Sequence, residues 1–502
     1  MTTRRRRAPS GLLLPTLPLL VLAALLAGCA RERPAAEPAT ASARAPRGEG
    51  RPDVLLLTID TLRADHLSAW GYPRETSPNL DRMAAEGVRF KRAQVQWPKT
   101  APSFASMFTA TYPKDNGVVR RVGMPISCRL RLLAEEMRDL GYQTHAVVAN
   151  GALGKEFFFD QGFDSYEEAW KVAGPDTPEP TGAHRITDLA LARVDRLEPG
   201  RPVFLWIHYI DPHAPYRPPR EWRDLYQGDA HFRAGETVPV DRRARRRFVG
   251  AIGRSQVVDG GSELAFYVAR YDAEIRYVDA EVGRLVAGLE QRGLWQRMLT
   301  VMTSDHGESL GEHRYYFGHG MLAYQTCLHV PFVVRYPGVL APRTDPAPVE
   351  LLHLAPTILD LAGAPLREAR WGQGRSLLPR LRGEASGDAT LAYSEAGYAS
   401  DRMWLRAVHD GRFKLIFAPS AKDQRKMGRQ GSAYALFDLA EDPGELRDVG
   451  EARPAERERL RAALAEWDGA PRFRFQADAA DCGGGREVDR STEAELRSLG
   501  YL

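Results

Sequence analysis

"DVLLLTID", residues 53–60, is an unbroken apolar run closed by a carboxylate. A run without polar alternation predicts a strand covered on both faces, as in a mainly parallel sheet. The same pattern returns in "MLTVMTSD" (298–305), and in "PVFLWIHYI" (202–210), which leads through His208 to Asp211. Helix signatures lie between these runs. "SPNLDRMAAEG" (77–87) opens on a capping serine, carries Leu80, Met83 and Ala84 at helical spacing, and stops at Gly87. "ARYDAEIRYVDAEVGRLVAGLEQRG" (269–293) sets Ile275, Val278, Val282, Leu285, Val286 and Leu289 on one face of a long amphipathic helix. "HVPFVVRYPG" (329–338) and "APTILDLAG" (355–363) continue the alternation. The expectation is an α/β fold, a doubly wound and mostly parallel sheet with helices on both faces. Ligands bind beyond the carboxyl ends of such strands, so Asp60 and Asp305 are expected to meet there.

The ends of the chain read differently. Residues 1–28 combine a basic start, Arg4 to Arg7, with the apolar stretch "LLLPTLPLLVLAALL" and then "LAGC" ending at Cys29. This is the layout of a secretory signal peptide. Small residues before a single Cys resemble a bacterial lipobox, which implies cleavage before Cys29, lipidation of its thiol and export to the cell envelope. The other reading is an uncleaved anchor, for which the apolar run is short of the ~20 residues a spanning helix needs. Residues 29–50, rich in Ala, Pro, Arg and Glu, read as a disordered tether. Residues 51–385 are expected to form the catalytic domain, with a solvated basic insertion at 220–262 containing "RRARRR". Short strands around a turn at "HDG" and a helix near 453–467 predict a smaller C-terminal α+β subdomain over 386–502.

Composition excludes some partners. The four arginines before residue 8 account for the whole net charge of +4, so the chain beyond residue 28 is neutral. Nothing electrostatic then points to nucleic acid. Cys128, Cys327 and Cys482 are neither a disulfide framework nor a zinc pattern. One bridge could form among them in an oxidising compartment, but buried or free thiols are the favoured expectation.

Chemistry gathers where polar residues stand at strand ends: Asp60, Thr100, His208, Asp211, His213, Asp305, His306 and His319. "SDHGES" (304–309) puts a carboxylate and an imidazole side by side after a buried strand, and Asp60 adds a second carboxylate. Divalent cations favour such oxygen and nitrogen donors. A cation there would lower the pKa of a nearby hydroxyl and so make a Thr side chain nucleophilic.

Several linked motifs occur in one order: residues 53–90, "WPKTAPSFASMFTATYP" (97–113), "HYIDPHAPY" (208–216), "TSDHGESLGEHRYYFGHG" (303–320), "LFDLAEDPGE" (436–445) and the tail "LRSLGYL" (496–502). Together they resemble the sulfatase branch of the alkaline phosphatase superfamily. The resemblance implies that Asp60, Asp305 and His306 bind a divalent metal (Ca2+, Mg2+, Mn2+ or Zn2+). Thr100 would hold the nucleophile position and touch that metal. His213 and His319 would contact the transferred group or protonate the leaving group.

The chain also departs from that pattern. Family sulfatases carry Cys or Ser in C/S-x-P-x-R, converted to formylglycine; here the motif reads Thr100-Ala101-Pro102-Ser103-Phe104. The acidic pair after the first strand is reduced to Asp60-Thr61, and the segment supplying a Lys and a His is replaced near Asn150 and Lys155. Lys99 is a further candidate to replace the missing cation. A formylglycine hydrate releases sulfate by elimination, whereas a threonine ester must be broken by attack at phosphorus or sulfur. Phosphorus accepts this readily. The expected function is therefore a metal-dependent hydrolase of phospho-, phosphono- or sulfate esters working through a covalent Thr100 ester. Its substrate would be a small anionic ester or a sulfated or phosphorylated glycan or lipid. Two other readings use the same residues, an envelope phosphoethanolamine-type transferase and a glycan-binding pseudoenzyme.

Overall fold

A computed structural model describes residues 50–119, 123–172, 181–228, 235–364, 372–384, 390–397, 404–427, 432–469 and 482–501. Cys29, the signal peptide and nearly all of the tether lie outside these residues. Among the described residues no helix is long and apolar enough to cross a membrane.

The centre is an eight-stranded sheet. Its strands are β1 (Val54–Ile59), β2 (Val88–Gln94), β3 (Gln143–Val148), β4 (Ser165–Glu168), β5 (Val203–Tyr209), β6 (Leu299–Thr303), β7 (His329–Arg335) and β8 (Arg343–Glu350). They lie in the order β8-β2-β7-β6-β1-β5-β3-β4. β7 runs antiparallel to both neighbours, and the other pairings are parallel. The expected mostly parallel α/β sheet is therefore observed.

The side-chain period of two explains why β1 has no polar face. Leu55, Leu57 and Ile59 pack into one core with Leu80 and Met83 of α1 (Pro78–Glu86), Ile186 of α4 (Ala183–Val194) and Val282 and Leu285 of α5 (Leu264–Gln291). Val54 and Leu56 pack into the other, with Phe104 and Met107 of α2 (Thr100–Thr109), Leu133 of α3 (Leu133–Asp139) and Ile358 of α6 (Leu354–Leu361). Each face is roofed by helices, so every residue of β1 is buried.

Beyond residue 385 the chain builds a four-stranded antiparallel sheet, β9 (Ala392–Ala396), β10 (Leu405–His409), β11 (Phe413–Phe417) and β12 (Tyr434–Asp438). α7 (Pro454–Gly469) lays Leu460, Leu464 and Trp467 across Val408, Leu415 and Leu436. A last helix, α8 (Arg490–Ser498), returns to the main body.

Two expectations are corrected. Cys128 and Cys482 form a disulfide with Cα atoms 5.2 Å apart, and among the described residues only Cys327 is a buried free thiol. Wide sequence spacing hid a pair that the fold brings together. The basic insertion is also not simply solvated. Ile252 and Val258 are buried, and Arg246 Nη1 donates to the Leu499 carbonyl at 2.8 Å.

The bridge spans 354 residues of sequence and ties the start of the closing segment to the main domain. Closing so long a loop in the unfolded chain predicts a stabilisation of about 2–4 kcal/mol. Cys482→Ser should lower Tm by several degrees and leave a protein indifferent to dithiothreitol. A wild-type protein whose Tm does not respond to reductant would contradict the bridge.

Candidate active site

The site grows from three neighbouring strands. β1 lies between β5 and β6, and the register sets Thr58 beside His208 and Thr303. Asp60 follows β1 directly, and Asp305 and His306 follow β6 within three residues. All three side chains are fully buried, and one donor atom from each lies within 4.8 Å of the others.

Their hydrogen bonds leave particular atoms over. Asp60 Oδ2 accepts from Asn150 Nδ2 at 2.6 Å, while Asp60 Oδ1 has no hydrogen-bond partner. Asp305 Oδ1 accepts from the amides of Thr61 (3.3 Å) and His306 (3.0 Å), while Oδ2 has none. His306 Nδ1 donates to the Gly307 carbonyl at 3.0 Å. That bond leaves Nε2 facing the carboxylates, 3.4 Å from Asp305 Oδ2 and 3.8 Å from Asp60 Oδ1. The turn tolerates only glycine after His306, since a Cβ on Gly307 would meet the Thr326 carbonyl at 2.2 Å.

Two buried carboxylate oxygens without partners are costly unless a cation compensates them. Their surroundings separate the pair. Burial would raise Asp60, but His208, His213 and His306 outweigh it and hold that carboxyl well below the usual carboxylate range. Burial, and then the Asp60 charge, push Asp305 up to about 6. The donor set Asp60, Asp305 and His306 fits a divalent cation, as the sequence led us to expect.

Thr100 is the first residue of α2 and is itself buried. Its Oγ1 lies 3.3 Å from His306 Nε2, at the positive end of a helix of 10 residues. Thr100 therefore lies beside the group formed by Asp60, Asp305 and His306. Phe104, one turn on, explains the missing arginine. Its ring packs 5.0 Å from Trp206 and edge-on 5.1 Å from His208, within the core. A fully buried hydrophobic contact stands where the family pattern has a charge. His208 in turn puts Nε2 3.6 Å from Asp60 Oδ2, and its Nδ1 lies 3.1 Å from Thr58 Oγ1.

His213 and His319 are also brought in. Their ring centroids are 5.2 Å apart, and His319 lies 4.2 Å from His306. His213 Nδ1 donates to the Ala214 carbonyl at 2.7 Å, which leaves a buried Nε2 with no hydrogen-bond partner. His319 Nδ1 is 3.2 Å from Glu308 Oε1, and the other oxygen of Glu308 accepts from Tyr216 Oη at 2.6 Å. Burial, helped by His306 and His213, holds His319 well below the ordinary histidine value. Lys99, His213, Glu308, His319, Arg246 and Tyr501 line a small cavity beside this cluster. Lys99 thus stands at the edge of the site, and burial lowers its ammonium to about 8.

Four residues of the site were given no role from the sequence. Asn150 carried a weak signal, as the polar residue closing a replaced motif. Its companion Lys155 lies instead on a turn whose amide donates to Glu168. His208 stood among the polar strand ends but had no partner to assign it. Glu308 was visible inside "SDHGES", and Tyr501 inside a tail quoted only for its resemblance.

With this geometry in place, the comparisons are specific. The family model "Sulfatase" matches residues 52–364, and "N-sulphoglucosamine sulphohydrolase, C-terminal" matches residues 311–466. The choline-sulfatase of Rhizobium meliloti is 27% identical over 450 residues, 80% of this chain and 83% of that protein. The N-acetylglucosamine-6-O-sulfatase of Bacteroides thetaiotaomicron is 25% identical over 497 residues, 83% of this chain and 86% of its own. The solved structure of the phosphonate monoester hydrolase SpPMH from Silicibacter pomeroyi shares the fold with a TM-score of 0.67 and 24% identity, covering 84% of this chain and 96% of that one. A family model spanning residues 52–364, on the fold and donor set described above, means that this chain belongs to the sulfatase family, metal-dependent ester hydrolases of the alkaline phosphatase-like superfamily.

Proposed function

We propose that this ester hydrolase uses Thr100 itself as its nucleophile and prefers phospho- and phosphonoesters to sulfate esters. The observation that carries this reading is the placement of Thr100 Oγ1, 3.3 Å from His306 Nε2, beside the candidate metal-binding group of Asp60, Asp305 and His306. Asp60 Oδ1, Asp305 Oδ2, His306 Nε2 and Thr100 Oγ1 would hold the divalent ion, which supplies the positive charge that makes the hydroxyl acidic. Thr100 has no route to an aldehyde hydrate, so its ester must be opened by water at the central atom. That step favours phosphorus.

The chain's own residues divide the work. Thr100 Oγ1 attacks, the O–P bond to the leaving group breaks, and the departing oxygen takes a proton from His213 Nε2. His319, oriented by Glu308, and Lys99 would face the non-bridging oxygens. Preorganised donors aimed at developing charge are worth several kcal/mol in a site closed to water.

Thr100→Ala should fold as the wild type and lose about 10³-fold or more in kcat. The assay is a panel of p-nitrophenyl phosphate, bis(p-nitrophenyl) phosphate, p-nitrophenyl phenylphosphonate, p-nitrophenyl sulfate and glucosamine 6-sulfate, run with each of four divalent ions. Undiminished turnover by the variant, or a strong preference for the sulfates, would refute the reading. His213→Ala should cost about 10²–10⁴-fold with alkyl leaving groups and far less with p-nitrophenolate, which departs unprotonated. An equal loss on both would remove His213 as the proton donor.

We further propose that the chain is exported and lipid-anchored at Cys29. The disulfide supports an oxidising compartment, where such bridges persist. In fractionated cells the full chain should pellet with membranes, and Cys29→Ser should move it to the soluble envelope fraction. A cytosolic wild-type protein would refute the proposal.

A further inference from the structure

The closing tail of the chain enters the site. α8 is docked by Thr492, whose Oγ1 accepts from Trp170 Nε1 at 3.1 Å and donates to Glu156 Oε1 at 3.2 Å. Leu496 is buried in the main core. After the helix, the Leu499 carbonyl accepts from Arg246 Nη1 at 2.8 Å, and Gly500 turns the chain with φ +77. That left-handed φ favours glycine, and a Cβ at Gly500 would displace the Arg246 guanidinium, 0.5 Å away, from the Leu499 carbonyl. The amide of Tyr501 then closes back onto the Leu496 carbonyl at 2.8 Å. The phenol is thereby aimed inward, with Oη 3.0 Å from Thr100 Oγ1 and 3.3 Å from Asn150 Nδ2.

The direction of these bonds follows from Asn150. Its Oδ1 accepts from the Ala152 amide at 2.9 Å, which fixes Nδ2, a donor only, toward Asp60 and Tyr501. Tyr501 Oη therefore accepts from Asn150, and its own proton is free to point at Thr100 Oγ1. The ring is framed by His213, 5.9 Å away, His319, 6.5 Å away, and the Lys99 ammonium at 5.9 Å.

We propose that Tyr501 is a catalytic residue of this site, donating its phenolic hydrogen bond to Thr100 Oγ1 in both halves of the reaction. The inference rests on Thr100 being the nucleophile. In the first half the Thr100 hydroxyl loses its proton to water, Oγ1 bonds to phosphorus and the ester O–P bond breaks. The leaving oxygen takes the proton from His213. In the second half, water gives a proton to His213 as its oxygen bonds to phosphorus. The P–Oγ1 bond breaks, and Oγ1 leaves with the negative charge until it regains a proton from water. Tyr501 keeps its own proton throughout. Its hydrogen bond strengthens whenever charge sits on Oγ1, which is the second step that a threonine ester finds hard. The tail thus compensates chemically for the absent formylglycine.

Tyr501→Phe removes one oxygen atom and leaves the tail docked. Its kcat on bis(p-nitrophenyl) phosphate and p-nitrophenyl phenylphosphonate should fall about 10–100-fold, the value of one hydrogen bond to a charged oxygen, with KM within about threefold of wild type. Titration of the metal-loaded protein with orthovanadate should show affinity about 10-fold weaker, at an unchanged Tm. Deleting residues 501–502 should reproduce the loss. Wild-type turnover and vanadate affinity in both variants would overturn the proposal. So would faster turnover in either, which would make the tail a plug. Thr100→Ala, assayed in parallel, separates the two ideas. If Thr100→Ala is inactive while Tyr501→Phe is unaffected, only the role of Tyr501 falls. If Thr100→Ala stays active, the nucleophile assignment falls and this proposal falls with it.

Discussion

Everything in this site depends on two carboxylates, Asp60 and Asp305, buried together at the ends of adjacent parallel strands. Each keeps one oxygen without a hydrogen-bond partner. A protein interior tolerates that arrangement only when a cation answers it, because the cost of an uncompensated buried charge exceeds any single contact nearby. The demand then fixes the neighbours. His306 must present Nε2, which its Nδ1 bond to Gly307 secures, and Gly307 must be glycine to clear Thr326. Asn150 must satisfy the remaining Asp60 oxygen. The eight-stranded sheet holds these atoms rigidly, since β1 is roofed on both faces and cannot shift without opening two cores.

Around that centre, electrostatics has been redistributed relative to the family pattern. Where an arginine would stand, Phe104 fills the space against Trp206 and His208. A guanidinium at that point would now be buried among aromatic rings. Lys99, Arg246, His213 and His319 instead line the small cavity beside the carboxylate cluster. Formylglycine chemistry and the arginine belong to one device, and the chain lacks both while keeping the metal-ligating residues. The tail delivers a hydroxyl to Thr100 beside Asn150, where the Lys and His segment of the family pattern is replaced.

Much of this was legible in the sequence because it depends on local patterns. Unbroken apolar runs marked β1, β5 and β6, and their polar ends marked Asp60, His208 and Asp305, since strand burial and strand ends are written in consecutive residues. The helix at 78–86 showed by its cap and spacing. What could not be read were relations between distant segments. Cys128 and Cys482 are far apart in sequence and carry no spacing signal. Arg246 looked like one of a solvated run until Leu499 gave it a partner. Asn150 and Tyr501 are ordinary polar residues in sequence, and only tertiary packing puts them 3.3 Å apart beside Thr100.

The covalent threonine ester is the centre of this account. Its most direct test is rapid acid quench during turnover of p-nitrophenyl phenylphosphonate, followed by peptide mass spectrometry. The account predicts a burst of p-nitrophenolate and a phenylphosphonyl adduct on the peptide containing Thr100, at Thr100 itself. Steady turnover with no adduct, or an adduct on any other residue, would contradict it.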